Sequence, residues 1–311
     1  MAIPSASSVR AAPRFGLGPR DLAVAAAMNV LWGLNIVAVK VAVGAIAPMT
    51  AGLLRQTIVF AICASSLRIV PGRMIPLLAL GTLAGGLFFV VVNTSLVVSD
   101  NVGALAIAGQ LGVPFSLLLA ILVFRERVHW PRMLGIALSF AGVVLLVFDP
   151  AVASEGLGLA LTAVASLIWA ISLLIQRRLI GVPVLTIYAW IGLMGMVVLA
   201  PCAWVFEPDA VRGIPQLEMR TMAWVAFSAI GSTLLGQGSM AWLLQRHSVS
   251  SVVPLTLAAP VISVVAASWY FGTPLTAIMV LGGVIALAGV AIIAIRSAAA
   301  AAPAVVPGRM A

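Results

Sequence analysis

Apolar positions along this chain come in long, nearly unbroken runs. Neither the strict alternation of a half-buried strand nor the single stripe of a surface helix dominates. The runs lie at about 21–43, 49–69, 75–98, 102–124, 131–148, 156–176, 183–206, 221–244, 249–271 and 275–296. About 20 apolar residues carry a helix across the hydrocarbon core of a bilayer. The pattern therefore predicts ten membrane-spanning helices. The breaks between runs carry turn-forming residues: Ala47-Pro48, Pro71-Gly72, Ser99-Asp100-Asn101, Asp149-Pro150, Gly181-Val182-Pro183 and Gly272-Thr273-Pro274.

Composition removes the alternatives. Of 311 residues, 63% are apolar and only 8% are charged, with a mean hydropathy of +1.22. So few charges cannot cover a water-exposed surface, which excludes a soluble enzyme, a disordered regulator and a collagen-like fibre. Spans and turns use up the chain and leave no room for a sizeable soluble domain. The first run is too long for the apolar core of a signal peptide, and no small-residue cleavage site follows it. Cys63 and Cys202 lie in apolar runs and read as packing residues; no Cys/His metal spacing is present. The net charge of +9 does not point to nucleic acid, because the arginines are scattered one or two at a time between apolar runs.

That scatter sets the orientation. One set of helix ends holds Arg10, Arg14, Arg20, Arg68, Arg73, Arg125, Arg127, Arg132, Arg177, Arg178, Arg246, Arg296 and Arg309. The opposite set holds Arg212 and Arg220, together with the acids Asp100, Asp149, Glu155, Glu207, Asp209 and Glu218. The positive-inside rule places the first set, and both termini, in the cytoplasm. The strong preference for Arg over Lys, with abundant Ala, suits a GC-rich bacterial genome and hence a bacterial inner membrane. Residues 1–20 are read as a cytoplasmic N-terminal segment, and 297–311, rich in Ala, Pro and Val, as a disordered cytoplasmic tail.

The apolar bulk also repeats. Gly135 to Leu146 (GIALSFAGVVLL) matches Gly282 to Ile293 (GGVIALAGVAII) at a spacing of 147, which also pairs Phe124 with Phe271 and Ser116 with Ser263. Trp32 pairs with Trp169 and Lys40 with Arg177 at a spacing of 137. Two segments follow, 21–148 and 156–296, each of five helices. An odd number of helices forces the second copy to enter the membrane in the opposite sense. Inverted repeats of this kind characterise secondary transporters, with the binding site near the midplane between the halves.

Several of these residues form a recognisable pattern. Trp32-Gly33-Leu34-Asn35 followed by Lys40 resembles the opening helix of the EamA family in the drug/metabolite transporter superfamily. Phe124-Arg125-Glu126-Arg127, leading to Gly135 and Ala141-Gly142, is similar to that family's fourth and fifth helices. Phe271 to Thr276, with Gly282 and Ala288-Gly289, looks like the second copy. The resemblance covers about 20–296 and is strongest to the members that export aromatic amino acids and related metabolites. It implies ten helices, a central cavity and export of small metabolites. The chain departs from many members at Thr273, where they carry Glu.

Few polar groups lie deep in the spans. A charge at that depth costs about 2.5–3.5 kcal/mol. Arg55, about seven residues inside its run, reads either as a carboxylate-binding or gating residue or as a side chain snorkelling to the interface. Lys40 lies nearer a helix end, where snorkelling or a structural contact is the simpler reading. Asn35, Asn93, Gln110 and Gln237 are either interhelical glue or substrate contacts in a wet cavity. Phe89 and Asn93, four apart, share a helix face. Trp130, Trp204, Trp224 and Trp269 fall near interfaces, where an aromatic belt accounts for them. Trp32 and Trp169 lie deeper and are candidates for a cavity wall. Pro114 and Pro260 interrupt the fourth and ninth runs at nearly equivalent places; each reads as a gating element or as a static kink.

The sequence holds no Asp or Glu in the middle third of any run, and His129 and His247 sit in expected cytoplasmic turns. This predicts transport without an intramembrane carboxylate as proton carrier. The leading function is export of small metabolites, amino acids (aromatic or other neutral) above all, by alternating access, with a monomer as the working unit. No cofactor and no metal are implied. Efflux of lipophilic drugs or cations is the alternative. A membrane-embedded lipid enzyme is less favoured, because no nucleophile–base pair, carboxylate pair or His-rich cluster is present.

Overall fold

A computed structural model describes residues 18–124, 130–150, 152–244, 246–247 and 252–301. The basic turn with Arg125, Arg127 and His129, the leading 17 residues and the tail from 302 lie outside the described residues. Helical rods succeed one another along the chain: α1 (Pro19–Ala45), α2 (Pro48–Cys63), α3 (Met74–Val97), α4 (102–124), α5 (Trp130–Val147), α6 (Gly156–Gln176), α7 (Val184–Phe206), α8 (219–244), α9 (253–271) and α10 (Ala277–Ala301). No strand occurs among the described residues. The rods begin and end within a few residues of the apolar runs. The last one continues past Arg296, into the segment expected to belong to the tail.

Seven rods are long and apolar enough to cross a membrane, and two shorter apolar helices, Trp130–Leu146 and Leu255–Phe271, accompany them. The rod α8 is not in that set, because Ser228, Ser232, Thr233 and Gln237 lower its hydropathy. Apolar side chains face outward along the rods: Ile75, Leu122, Val144, Val197, Val265 and Val284 are all exposed. Such a surface would drive aggregation in water and is satisfied by lipid tails. This is a multi-pass membrane protein.

Small residues set the closest approaches, as expected where lipid removes the hydrophobic drive between helices. The most extensive seam joins α5 to α10. A Cβ on Gly142 would lie 2.4 Å from both the Ala286 nitrogen and the Gly282 oxygen; one on Gly289 would lie 2.5 Å from the Gly135 oxygen. Gly135 thus meets Gly289 while Gly142 meets Gly282, so the two helices run antiparallel. Ser139, which donates to Gly135 O at 2.9 Å, also touches Ala286 O at 3.5 Å. At the 147 spacing, Ser139 and Ala286 are counterparts. The α2–α7 seam is built similarly, with Gly192 against Phe60 and Gly195 against Gln56. Elsewhere α1 packs on α8 and α9, and α6 packs on α3 and α4.

Two local departures from α geometry recur. A π-helical segment, Gly81–Leu87, interrupts α3, and another, Phe227–Gly236, interrupts α8. A 3-10 turn interrupts α4 (Gly109–Leu111), and another opens α9 (Val253–Leu257). Pro114 and Pro260 are then each the third residue of the following α-helix, and both are buried. Each proline removes one N–H donor from its rod, and the 3-10 turn just before it is where the rod departs from α geometry.

Replacing Gly142 by Val is expected to destabilise the protein by about 1–3 kcal/mol through overpacking against backbone that cannot give way. Gly44→Val, where an added Cβ meets nothing within 4 Å, should stay within about 0.5 kcal/mol. Thermal unfolding of the detergent-solubilised variants checks both.

Candidate functional site

The deepest polar cluster is built around Arg55. Its guanidinium is enclosed at the meeting of α1, α2, α3 and α8, and lines a cavity with Val39, Ala42, Ala51, Asn93, Val225 and Ser228. Nη1 donates to Ser228 Oγ, and Nη2 donates to Thr233 Oγ1 at 2.6 Å. Both acceptors are themselves committed: Ser228 Oγ donates to Asn35 Oδ1 at 2.7 Å, and Thr233 Oγ1 donates to Ser228 O at 3.2 Å. The guanidinium carbon also sits 4.7 Å from the centre of the Phe89 ring, a cation–π contact that strengthens away from water.

The π segment of α8 makes this arrangement possible. In an α-helix, positions five apart point about 140° away from each other. A π turn closes between residues five apart, so it stacks Thr233 over Ser228 and presents both hydroxyls to one guanidinium. Asn93, buried on α3, donates from Nδ2 to Pro48 O at 2.8 Å. Only the amide nitrogen can donate to a carbonyl, which leaves Asn93 Oδ1 as an acceptor. Asn93 Oδ1 and Arg55 Nε are both buried without a hydrogen-bond partner. The cavity volume is about 10 Å³, room for about one water.

Of the residues singled out from the sequence, Arg55, Asn93, Phe89 and Asn35 come together here. The others lie elsewhere. Trp32 donates to Ser232 O at 3.2 Å and covers Gly236. Gln237 follows that glycine and is half-buried. Trp169 leans on Phe88 with ring centres 5.3 Å apart. Gln110 returns a long bond, 3.4 Å, to Ala106 O in its own helix. Lys40 Nζ donates to Leu96 O and Ser99 O, each at 2.5 Å, so its ammonium closes the C-terminal end of α3, where backbone carbonyls and the helix dipole favour a cation.

Ser228 and Thr233 were not picked out from the sequence. Intramembrane serines and threonines commonly bond their own helix, and several here do so, among them Ser116, Ser172 and Thr94. Only the lowered hydropathy of α8 hinted at a polar lining. The acids also carry more than a topological signal. Glu207 accepts from Met49 N, Thr50 N and Thr50 Oγ1 at 2.8–2.9 Å and so caps α2. Glu155 accepts from Asp100 N and Asn101 N at the start of α4. Asp149 receives the hydroxyl of Thr276, which in turn accepts from Met279 N at 3.1 Å at the start of α10. Three helix N-termini at one end of the bundle thereby receive negative charge. At the other end His247 Nε2 pairs with Asp21 Oδ2 at 3.0 Å.

The EamA-like transporter family model matches the chain twice, over residues 21–148 and again over 156–295. The chain belongs to the EamA-like transporter family. Among its relatives, the "Probable amino-acid metabolite efflux pump" of Escherichia coli (strain K12) is 26% identical over 282 residues, covering 87% of this chain and 93% of that protein. The protein of the same description in Salmonella typhimurium is 26% identical over 284 residues, covering 87% and 93%. An "Uncharacterized transporter" of Archaeoglobus fulgidus is 27% identical over 268 residues, covering 84% and 94%. A solved crystal structure 19% identical in sequence, covering 90% of this chain and 98% of its own, superposes with a TM-score of 0.61 and shares the fold. As a member of this family the chain is a transporter and not an enzyme.

Glu207→Ala removes three acceptor contacts from the start of α2 and should cost about 1–2 kcal/mol of stability. Thermal unfolding checks the loss, and the melting temperature of Asp209→Ala, whose partner Arg212 is a surface residue, serves as the unaffected comparison.

Proposed function

We propose that this protein exports small metabolites, neutral amino acids above all, across a bacterial inner membrane by alternating access. In this reading all ten rods cross the bilayer, with both termini in the cytoplasm and a monomer as the working unit. They form two inverted five-helix repeats, at 21–148 and 156–296, around a central pathway. The tandem family matches support the repeat. So do the reciprocal glycine contacts of α5 and α10: an antiparallel pair in which counterparts Ser139 and Ala286 meet is what a two-fold axis in the membrane plane produces. The recurrence of the π segment in α3 and α8, and of the 3-10 turn before Pro114 and Pro260, supports it again.

One observation carries the functional reading. A largely buried guanidinium stands where α1, α2 and α3 of the first repeat meet α8 of the second, with hydroxyls rather than a carboxylate as its hydrogen-bond acceptors among the described residues. A positive site in a low-dielectric surrounding attracts a carboxylate and repels a cation. That favours amino acids over lipophilic cations as cargo. The names of the Escherichia coli and Salmonella relatives agree with this choice. Phe89 and the apolar lining suit a neutral or aromatic side chain. A cavity of one water's volume fits a closed stage of the cycle, and binding requires it to widen.

Counterflow in proteoliposomes tests the assignment. Phenylalanine, leucine or threonine is expected to exchange, and Arg55→Gln to lower the rate at least about tenfold, the effect of losing one charged contact. A pH gradient at zero potential should leave the rate nearly unchanged. Transport of tetraphenylphosphonium with no exchange of any amino acid would reverse the substrate class. Topology is checked independently in a background with Cys63 and Cys202 replaced by Ala. An impermeant thiol reagent should label Arg212→Cys in intact cells, and Arg178→Cys only after permeabilisation.

A further inference from the structure

The five N–H groups of Arg55 are unequally used. Nη1 and Nη2 are tied to Ser228 and Thr233, whereas Nε is buried with no partner. A carboxylate binds a guanidinium best through two parallel N–H bonds. The Nε–H points to the same edge of the planar group as one N–H of Nη2, so this edge is the open half of a two-pronged receptor. Thr233 is bonded to Nη2, the second nitrogen of that edge. Asn93 Oδ1, also buried and unpartnered, lines the same cavity. An unsatisfied donor and an unsatisfied acceptor facing one small space are an energetic liability unless something arrives to satisfy them.

We propose that an amino acid binds with its carboxylate on the Nε/Nη2 edge of Arg55 and its ammonium on Asn93 Oδ1, and that the carboxylate displaces the Thr233 hydroxyl from Nη2. This rests on the reading of the Arg55 cavity as the substrate site. Thr233 is then a competitor for the receptor. Its hydroxyl is bonded to Nη2 and ties α8 to α2. Arrival of the charged group exchanges a neutral acceptor for a stronger ionic one and unties the two helices. The cavity has to widen to admit a carboxylate, and the bond that resists widening is the one the carboxylate replaces. Thr233 loses little by the exchange, because its hydroxyl keeps its bond to Ser228 O. Ser228 sits on Nη1, away from the receiving edge, and keeps its link to Asn35. Substrate recognition and release of α8 are thereby one event.

The test is ligand-dependent thermal stabilisation of the purified full-length protein, read with phenylalanine, leucine and threonine and with their carboxamides. The amino acids should stabilise it and the carboxamides should not. Thr233→Val, which keeps the shape and removes the hydroxyl, should lower the half-saturating amino acid concentration about three- to tenfold, the factor one net hydrogen bond is worth. Ser228→Ala should not lower it. Asn93→Leu should raise it. An unchanged or raised half-saturating concentration in Thr233→Val overturns the competition. Equal stabilisation by the carboxamides overturns the carboxylate assignment and the proposal with it. The underlying reading fails separately. It falls if a monodisperse Arg55→Gln protein binds amino acids like the wild type, or if no amino acid stabilises the wild type at all.

Discussion

A guanidinium cannot be left bare in hydrocarbon, and much of this fold is arranged around that constraint. Arg55 needs acceptors at a depth where water is absent and backbone carbonyls are already spent in helices. The chain supplies them from Ser228 and Thr233, more than 170 positions downstream. It brings both to bear by winding α8 as a π turn where they sit. Asn35 and Phe89 complete the enclosure. Three consecutive helices of the first half and α8 of the second are thus tied at one point.

The close packing has its own logic. Lipid gives two apolar helices no reason to prefer each other over the solvent, so contact depends on how near the backbones can come. Glycine removes the spacer. At Gly135, Gly142, Gly282 and Gly289 the approach is so close that an added methyl group would overlap main-chain atoms. Acids contribute at the ends rather than in the middle. Glu207 and Glu155 satisfy amide groups that α2 and α4 leave open at their starts, and Asp149 holds the Thr276 hydroxyl that does the same for α10. The charges that mark sidedness in the sequence are, in the structure, also the fittings that hold the rods at their rims.

The helices were legible in the sequence because hydrocarbon thickness dictates the length of an apolar run, and the runs were written almost without interruption. Arg55 and Asn93 were legible because a charge or an amide is rare inside so apolar a run. The rest of the cluster was not. A serine or threonine in a membrane helix ordinarily bonds the turn beneath it, so nothing in the residue type separates Ser228 and Thr233 from Ser116 or Ser172. The π turn has no compositional mark. For Lys40 a structural contact was one of the two readings, but its acceptors, Leu96 O and Ser99 O, are backbone atoms that no sequence can advertise. Trp32 and Trp169 were read by depth as candidates for a cavity wall; Trp32 covers Gly236, and Trp169 leans on Phe88.

The α5–α10 seam has a mechanical consequence. Where two helices meet through side chains, they can slip by exchanging rotamers, much as interlocked gears can jump a tooth. Where they meet through glycine, there are no teeth. The main chains rest directly on each other, and any sliding must lift one carbonyl ridge over the next. That pair is therefore a strut. Movement in the molecule is displaced onto the helices whose contacts are side-chain mediated and can be exchanged, among them the hydroxyl-to-guanidinium tie between α2 and α8.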